Sequence, residues 1–315
     1  MSTHKVLLYT LRDNEIEEYE KLIRQASLPI DLIVCRSKEE AKKAIVDAEI
    51  VFGVHLPPEI YALAKNLKWI QSMWAGVENL LPAPIPSNVI ITKPWGVFGQ
   101  YICEYVFGYI LASKIKLREH LAAQLEQKWE RHPLEPITGN CLGIAGVGDI
   151  GAEIARIGKS FGMQTWGLNS DGRPHQFIDE MFSPDELKLF VAGVDFLVLI
   201  LPATKQTLEM FGHEVFQHMK PNAWLINVGR GALINDAALI EALKHNRIAG
   251  AVLDVFHQEP LPVSHPFWKL PNCIITPHVG GPSLPSDITK CFITNFHLYW
   301  AGKPLLGQIN QEKGY

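Results

Sequence analysis

The run CLGIAGVGDIGAEIARIGKSFG, Cys141 to Gly162, limits the fold more than any other stretch of the chain. An apolar segment leads into Gly146, Gly148 and Gly151, spaced G-x-G-x-x-G, and an amphipathic pattern follows. Strand, glycine turn and helix in that order read as the opening βα unit of a dinucleotide-binding sheet. The first glycine permits a tight turn, and the second lets backbone approach a pyrophosphate. The third lets the helix lie close on the strand. Asp149 and Ile150 stand between the last two, at a helix N-terminus whose N–H groups and dipole favour an anion.

The rest of the chain has a matching rhythm. Short β-rich runs alternate with helical patterns, which predicts an α/β fold with parallel sheets. The first third offers KVLLYT, DLIVCR, EIVFGVH, LKWIQSMW and VIITKP as strands, with amphipathic segments at Glu15–Arg24 and Lys38–Asp47. LPAPIPSN is a proline-rich loop. From Val97 to Gln127 the pattern is helical, long enough for two consecutive helices. A second series then offers CLGIAGV, QTWGLN, VDFLVLIL, AWLINV, IAGAVLDV and NCIITP, and a final helix over Ser286–Trp300. Runs such as Phe196–Leu201 suit strands buried on both faces.

With 315 residues, 47% of them hydrophobic and 20% charged, the chain has room for two domains of ordinary size. A net charge of -4 gives no reason to expect a nucleic-acid or membrane partner. No run approaches the roughly 20 apolar residues of a membrane span. MSTHKVLLYT reads as a first strand rather than a signal peptide. The five cysteines are scattered and odd in number, with neither disulfide framework nor metal spacing, so the expected setting is a reducing cytoplasm.

Coenzyme choice turns on the end of the strand MQTWGLN. A carboxylate there normally grips the ribose hydroxyls of NAD. Here the position, 18 residues after Gly151, is Asn169, followed by Ser170, Asp171, Gly172 and Arg173. Asn169 and Ser170 remove the charge that would repel a 2′-phosphate, and Arg173 supplies a positive one. Asp171 works the other way and offers an NAD contact. The expectation is NADP(H), with NAD(H) as the other option.

Three later segments carry chemistry. LINVGRGALIN places Arg230 directly after a buried strand, GAVLDVFHQEPLP places Asp254 at a strand end and Glu259 beyond it, and CIITPHVGG places His278 after another strand. Ligands of open α/β sheets bind outside the carboxyl ends of the strands, so all three segments belong to the rim that holds the glycine turn. Singly, each has a bland reading as a surface or turn residue. Together they suit reduction of a 2-oxo acid. Arginine offers a planar fork for a carboxylate and a neighbouring carbonyl. Histidine gives the proton that an alkoxide needs, and a nearby carboxylate favours its protonated form.

At GVGDIG, NVGRG, LDVFHQEPLP and TPHVGG, in that order, the chain resembles the NAD(P)-dependent D-2-hydroxyacid dehydrogenases, most closely the glyoxylate/hydroxypyruvate reductases. The resemblance covers essentially the whole length. It implies two Rossmann-like or flavodoxin-like domains with parallel sheets and an active site in the cleft between them. The substrate domain would comprise residues 1–97, completed by 285–315, and the dinucleotide-binding domain 98–284. It implies that Arg230 binds substrate, His278 is the acid/base and Glu259 supports it, while Asp254 holds the nicotinamide carboxamide. Pro202 and Thr207 would line the coenzyme, and backbone N–H groups of Trp74, Ala75, Gly76 and Val77 would bind the substrate carboxylate. His55 lies in a loop near the substrate in such enzymes. Trp268 matches a tryptophan that some members insert into a partner subunit, and a packed surface aromatic explains it equally. A homodimer through the segment around Phe98–Leu125 is also implied, though a buried core helix explains that segment's apolar content equally, and a small 2-oxo or 2-hydroxy acid is the expected partner.

The sequence departs from the family pattern at Gly229, where Ala or Ser is common and a looser turn is expected, and at Asn169. Glu259 argues against formate dehydrogenase, whose histidine pairs with glutamine. Phosphoglycerate dehydrogenase is a further relative, many versions of which carry an added regulatory domain. The contrasting reading is a dinucleotide-sensing interaction module of the corepressor type, without significant turnover.

Overall fold

The computed structural model describes residues 3–11, 13–54, 56–77, 80 and 82–310, the side chain of Asp13 aside. The chain divides into two compact units, one of residues 1–97 with 283–315 and one of residues 98–282. The second junction thus falls two residues before the boundary read from the sequence, because Ser283 and Leu284 lead directly into the last helix.

The first unit contains strands β1 (His4–Tyr9), β2 (Ile30–Cys35), β3 (Ile50–Gly53), β4 (Trp69–Ser72) and β5 (Ile90–Thr92). Its helices from the N-terminal portion are α1 (Asp13–Gln25), α2 (Lys38–Ala44) and the short α3 (Pro58–Tyr61). The strands form one parallel sheet in the order β2-β1-β3-β4-β5. Val6, Leu7, Leu8, Ile50, Val51 and Phe52 are all buried, as expected of central strands covered on both faces.

The second unit begins with α4 (Phe98–Lys114) and α5 (Leu117–Leu125). The two are separate because Lys116 adopts a left-handed conformation, φ 53°, which interrupts helical backbone bonding without a glycine or proline to announce it. Then follow β6 (Cys141–Ala145), α6 (Asp149–Ser160), β7 (Gln164–Leu168), β8 (Glu180–Phe182), α7 (Leu187–Gly193), β9 (Phe196–Leu199), α8 (His213–His218), β10 (Trp224–Asn227), α9 (Asp236–Lys244), β11 (Gly250–Leu253) and β12 (Cys273–Ile275). All seven strands are parallel, in the order β12-β11-β10-β9-β6-β7-β8. The sequence reading has six of these strands. The edge strand β8 is three residues long and pairs only with β7, too short to show a period.

The last helix, α10 (Pro285–Trp300), returns to the first unit. Phe292 on α10 stacks on Phe52 at 4.4 Å between ring centroids and on Trp69 at 5.4 Å. Two pairs of buried polar groups join here: Asn295 Nδ2 donates to Gln71 Oε1 at 3.0 Å, and Trp69 Nε1 donates to Thr92 Oγ1 at 2.8 Å.

Candidate active site

Because the seven strands are parallel, their carboxyl ends share one edge. Arg230 follows β10, Asp254 follows β11 and His278 follows β12, three adjacent strands. Gly146 follows β6 and Asn169 follows β7. The strand order reverses between β9 and β6, the switch point at which open α/β sheets bind ligands.

The His278 turn is built from below. His278 has φ 55°, an uncommon conformation for a residue with a Cβ. Its N–H donates to Asp254 O at 2.9 Å. Asp254 is 2% exposed. Its Oδ1 accepts from Thr276 Oγ1 at 2.5 Å and from the Val279 N–H at 2.9 Å, and its Oδ2 accepts from the Gly280 N–H at 2.8 Å. Tyr105 on α4 reaches Thr276 Oγ1 at 2.6 Å. Thr276 has one hydroxyl proton, which goes to Asp254, so Tyr105 is the donor in that pair. Burial raises the Tyr105 phenol well above its ordinary value and keeps the proton on it. Thr276 opens the TPHVGG motif without a role being read for it, and Tyr105 has no motif of its own, so sequence reasoning misses what both do.

His278 Nδ1 lies 2.8 Å from Glu259 Oε2, and Glu259 Oε1 accepts the Phe256 N–H at 2.9 Å. A carboxylate accepts, so Nδ1 carries a proton and Nε2 is the nitrogen left for other chemistry. Both side chains are part-exposed, so a ligand can reach them.

Arg230 leads into a 3-10 turn, Gly231–Leu233, and its Nη1 donates to Gly229 O at 2.7 Å. Buried Asn227 braces the turn, donating to Arg230 O at 2.9 Å and accepting the Gly229 N–H at 3.1 Å. Gly229 does not loosen this turn. A Cβ there would come within 3.1 Å of Ile200 Cα and of Leu201 O, so the glycine allows the turn to press closely on the end of β9.

The three loop glycines differ in what demands them. Gly146 has φ 108°, and a Cβ on it would sit 2.9 Å from the Ile200 carbonyl. On Gly151 a Cβ would sit 2.1 Å from Gly146 O. On Gly148 it would meet no heavy atom within 4 Å, so the chain's own packing does not keep that position bare. A pyrophosphate laid against the N-terminus of α6, where Asp149 and Ile150 stand, fits that pattern. In the loop after β9, Thr207 Oγ1 donates to Pro202 O at 2.7 Å and accepts the Thr204 N–H at 2.8 Å, which closes it on itself.

After β7 the polar groups also satisfy one another. Asn169 Nδ2 donates to Arg173 O at 3.0 Å, and Asp171 Oδ2 pairs with Arg173 Nε at 2.7 Å. The Arg173 side chain is 79% exposed, and Ser170 is exposed beside it.

In the first unit, Trp74 to Val77 follow β4. Ser72 Oγ accepts the Trp74 N–H and donates to Trp74 O, each at 3.0 Å. Trp74 is 37% exposed and Val77 is buried, with Ala75 and Gly76 half-buried between them. His55 lies outside the described residues. Trp268 is half-exposed, and its Nε1 donates to Pro262 O at 3.0 Å.

Comparison with known proteins gives the family. Residues 107–280 match the family model described as "D-isomer specific 2-hydroxyacid dehydrogenase, NAD binding domain". Glyoxylate/hydroxypyruvate reductase A of Serratia proteamaculans is 30% identical, over 82% of this chain and 85% of that one. A solved D-isomer specific 2-hydroxyacid dehydrogenase family protein from Aeromonas salmonicida is 37% identical with a TM-score of 0.90, covering 98% of this chain and 100% of that one. A D-isomer specific 2-hydroxyacid dehydrogenase from Xanthobacter autotrophicus, solved with NADPH and MES, is 26% identical with a TM-score of 0.91 and covers all of both chains. The glycine turn, the strand-end Arg230 and the His278–Glu259 pair thus stand in a chain that belongs to the D-isomer specific 2-hydroxyacid dehydrogenase family.

Proposed function

We propose that the chain reduces a small 2-oxo acid of the glyoxylate or hydroxypyruvate kind to the D-2-hydroxy acid, with NADPH as its preferred coenzyme. The broader class follows from the family: an NAD(P)-dependent 2-hydroxyacid dehydrogenase. The 2.8 Å pair of His278 and Glu259, two strands from Arg230 on the edge that bears the glycine turn, carries the finer reading.

The bound nicotinamide supplies a hydride to the carbonyl carbon. In this reading the Arg230 guanidinium binds the substrate carboxylate and polarises the carbonyl beside it. The family resemblance assigns the remaining carboxylate oxygen to backbone N–H groups of the Trp74–Val77 loop, of which Ala75, Gly76 and Val77 suit the role, since the Trp74 N–H is held by Ser72 Oγ. His278 Nε2–H gives its proton to the carbonyl oxygen as negative charge develops there, and Glu259 steadies the imidazolium through Nδ1. In the oxidative direction neutral His278 accepts the hydroxyl proton. Asp254, its carboxylate engaged by the Thr276–Gly280 turn, holds the donor in place and lies where the family holds the carboxamide. Gly146, Gly148 and Gly151 with the first turn of α6 receive the pyrophosphate, and Pro202 and Thr207 border the coenzyme.

NADPH is preferred because position 169 bears no charge and Arg173 is at hand for a 2′-phosphate. The NADPH bound to the Xanthobacter relative supports that reading. A homodimer is proposed through α4, α5 and the segment after them, where Leu111, Ile115, Leu117, Leu121, Leu125 and Trp129 are exposed. All five cysteines are free and buried, which suits the cytoplasm.

Steady-state oxidation of NADPH and NADH with glyoxylate, hydroxypyruvate, pyruvate and a branched-chain 2-oxo acid tests the reading. The expected result is fastest turnover of one of the first two with NADPH. His278→Ala should lower kcat by about 10²–10⁴-fold with coenzyme affinity retained. Tight NADPH binding with no turnover of any acid would favour the sensor reading instead.

A further inference from the structure

The loop that carries Glu259 is fastened to the turn that carries Arg230. A Cβ on Gly231 would fall 2.0 Å from the carbonyl carbon of Phe256 and 2.4 Å from the His257 nitrogen, so the two backbones meet with no side chain between them. His257 adds a side-chain tie, with its Nε2 2.7 Å from the Ile234 carbonyl oxygen. A carbonyl only accepts, so Nε2–H is the donor. Ile234 is 2% exposed, which leaves its carbonyl little access to water as a replacement partner.

Two longer contacts with Asp236 stand beside this tie. The same nitrogen lies 3.8 Å from Asp236 Oδ1, and His265 Nε2 lies 3.4 Å from Asp236 Oδ2. His265 Nδ1 accepts the Phe267 N–H at 3.4 Å, so in the neutral ring the proton is on the nitrogen that faces Asp236. Asp236 opens α9, directly after Asn235, whose Nδ2 donates to Glu209 Oε2 at 3.0 Å. Toward the reacting groups, Phe256 N–H holds Glu259 Oε1, and Glu259 Oε2 holds His278. One continuous series therefore runs from Ile234 O through His257, Phe256 and Glu259 to His278 Nδ1.

We propose that His257 is a positioning residue whose bond to the Ile234 carbonyl sets the loop from which Glu259 meets His278, and so holds the proton donor in register with the Arg230 turn. This rests on the reading of His278 and Glu259 as the acid/base pair. His257 touches no reacting atom. Its contribution is to keep a part-exposed loop within hydrogen-bond reach of the imidazole.

The test is the pH profile of kcat/KM for NADPH-dependent glyoxylate reduction by wild type, Glu259→Gln, His257→Ala and His257→Gln. Reduction needs a protonated donor, so activity falls on the high-pH limb. Glu259→Gln takes away the negative charge that faces the protonated donor, and that limb should move to lower pH. His257→Ala should move it part of the way and lower kcat by about tenfold or less, since misplacement by a full ångström costs on the order of a hundredfold. His257→Gln, which keeps a donor at similar reach, should restore the limb, and His257→Ala should add no shift in a Glu259→Gln background. Should the alanine variant fail to fold, His257→Asn, whose amide stops short of Ile234, takes its place. A limb that shifts in Glu259→Gln but stays at the wild-type position in His257→Ala overturns the proposal. Absent turnover, or a limb that does not move even in Glu259→Gln, overturns the acid/base reading beneath it.

Discussion

Two turns follow strands of one parallel sheet and treat their polar groups in opposite ways. In the His278 turn after β12, the Thr276 hydroxyl and the backbone N–H groups reach neighbours far away in sequence: Asp254 and Tyr105 are both joined to it. In the turn after β7, the side chains of Asn169, Asp171 and Arg173 bond to one another within five residues, and the arginine stands 79% exposed. The first turn is held from the core, as the proton delivery proposed for His278 requires. The second is held by itself at the surface, where a charge can change partners at little cost.

That contrast sets the size of the expected effects. Asp254→Asn should be the most damaging of four substitutions. It places an amide NH₂ or a single acceptor among three donors in a buried site, so a loss of about 1–3 kcal/mol in stability is expected from the unsatisfied group. A drop of more than tenfold in kcat should accompany it, by chemical denaturation and steady-state rates. An Asp254→Asn enzyme with wild-type kcat would make the two turns alike. Gly148→Ala comes next. Its Cβ meets no heavy atom within 4 Å, so melting should be unchanged or slightly higher, while NADPH affinity falls by about tenfold or more in fluorescence titration. Arg173→Ala should raise the KM for NADPH by about tenfold and leave that for NADH and the kcat unaltered, as loss of one charged hydrogen bond predicts. Asp171→Asn releases Arg173 from its 2.7 Å partner and should tighten NADPH by about threefold. Weaker NADPH binding in this variant would mean that Asp171 orients the arginine rather than competing for it.

The same contrast separates what is legible in the chain from what is not. The glycine turn, Arg230, Glu259 and His278 can be found because each is tied to a strand end by a few residues of sequence, and parallel strands bring their ends to one edge. The point at Lys116 where the two helices read over Val97–Gln127 part, the edge strand Glu180–Phe182, and the links from Tyr105 and His257 cannot. A left-handed lysine carries no local signal, three residues show no period, and a hydrogen bond such as Tyr105 to Thr276 joins positions 171 apart. Asn169 is informative by what it lacks, whereas the engagement of Arg173 by Asp171 depends on a turn geometry that Gly172, at φ 68°, makes available.

The stacking of Phe292 on Phe52 and Trp69 has a bearing on how the protein is made. During synthesis, β1 to β5 leave the ribosome long before α10, and the aromatic face of their sheet must wait for residues translated after the whole of the other unit. Residues 98–282 are contiguous and can complete their own sheet first. Vectorial synthesis therefore favours maturation of the coenzyme-binding unit ahead of the unit that precedes it in the chain, and leaves Phe52 and Trp69 as the surface that a chaperone would meet in the interval.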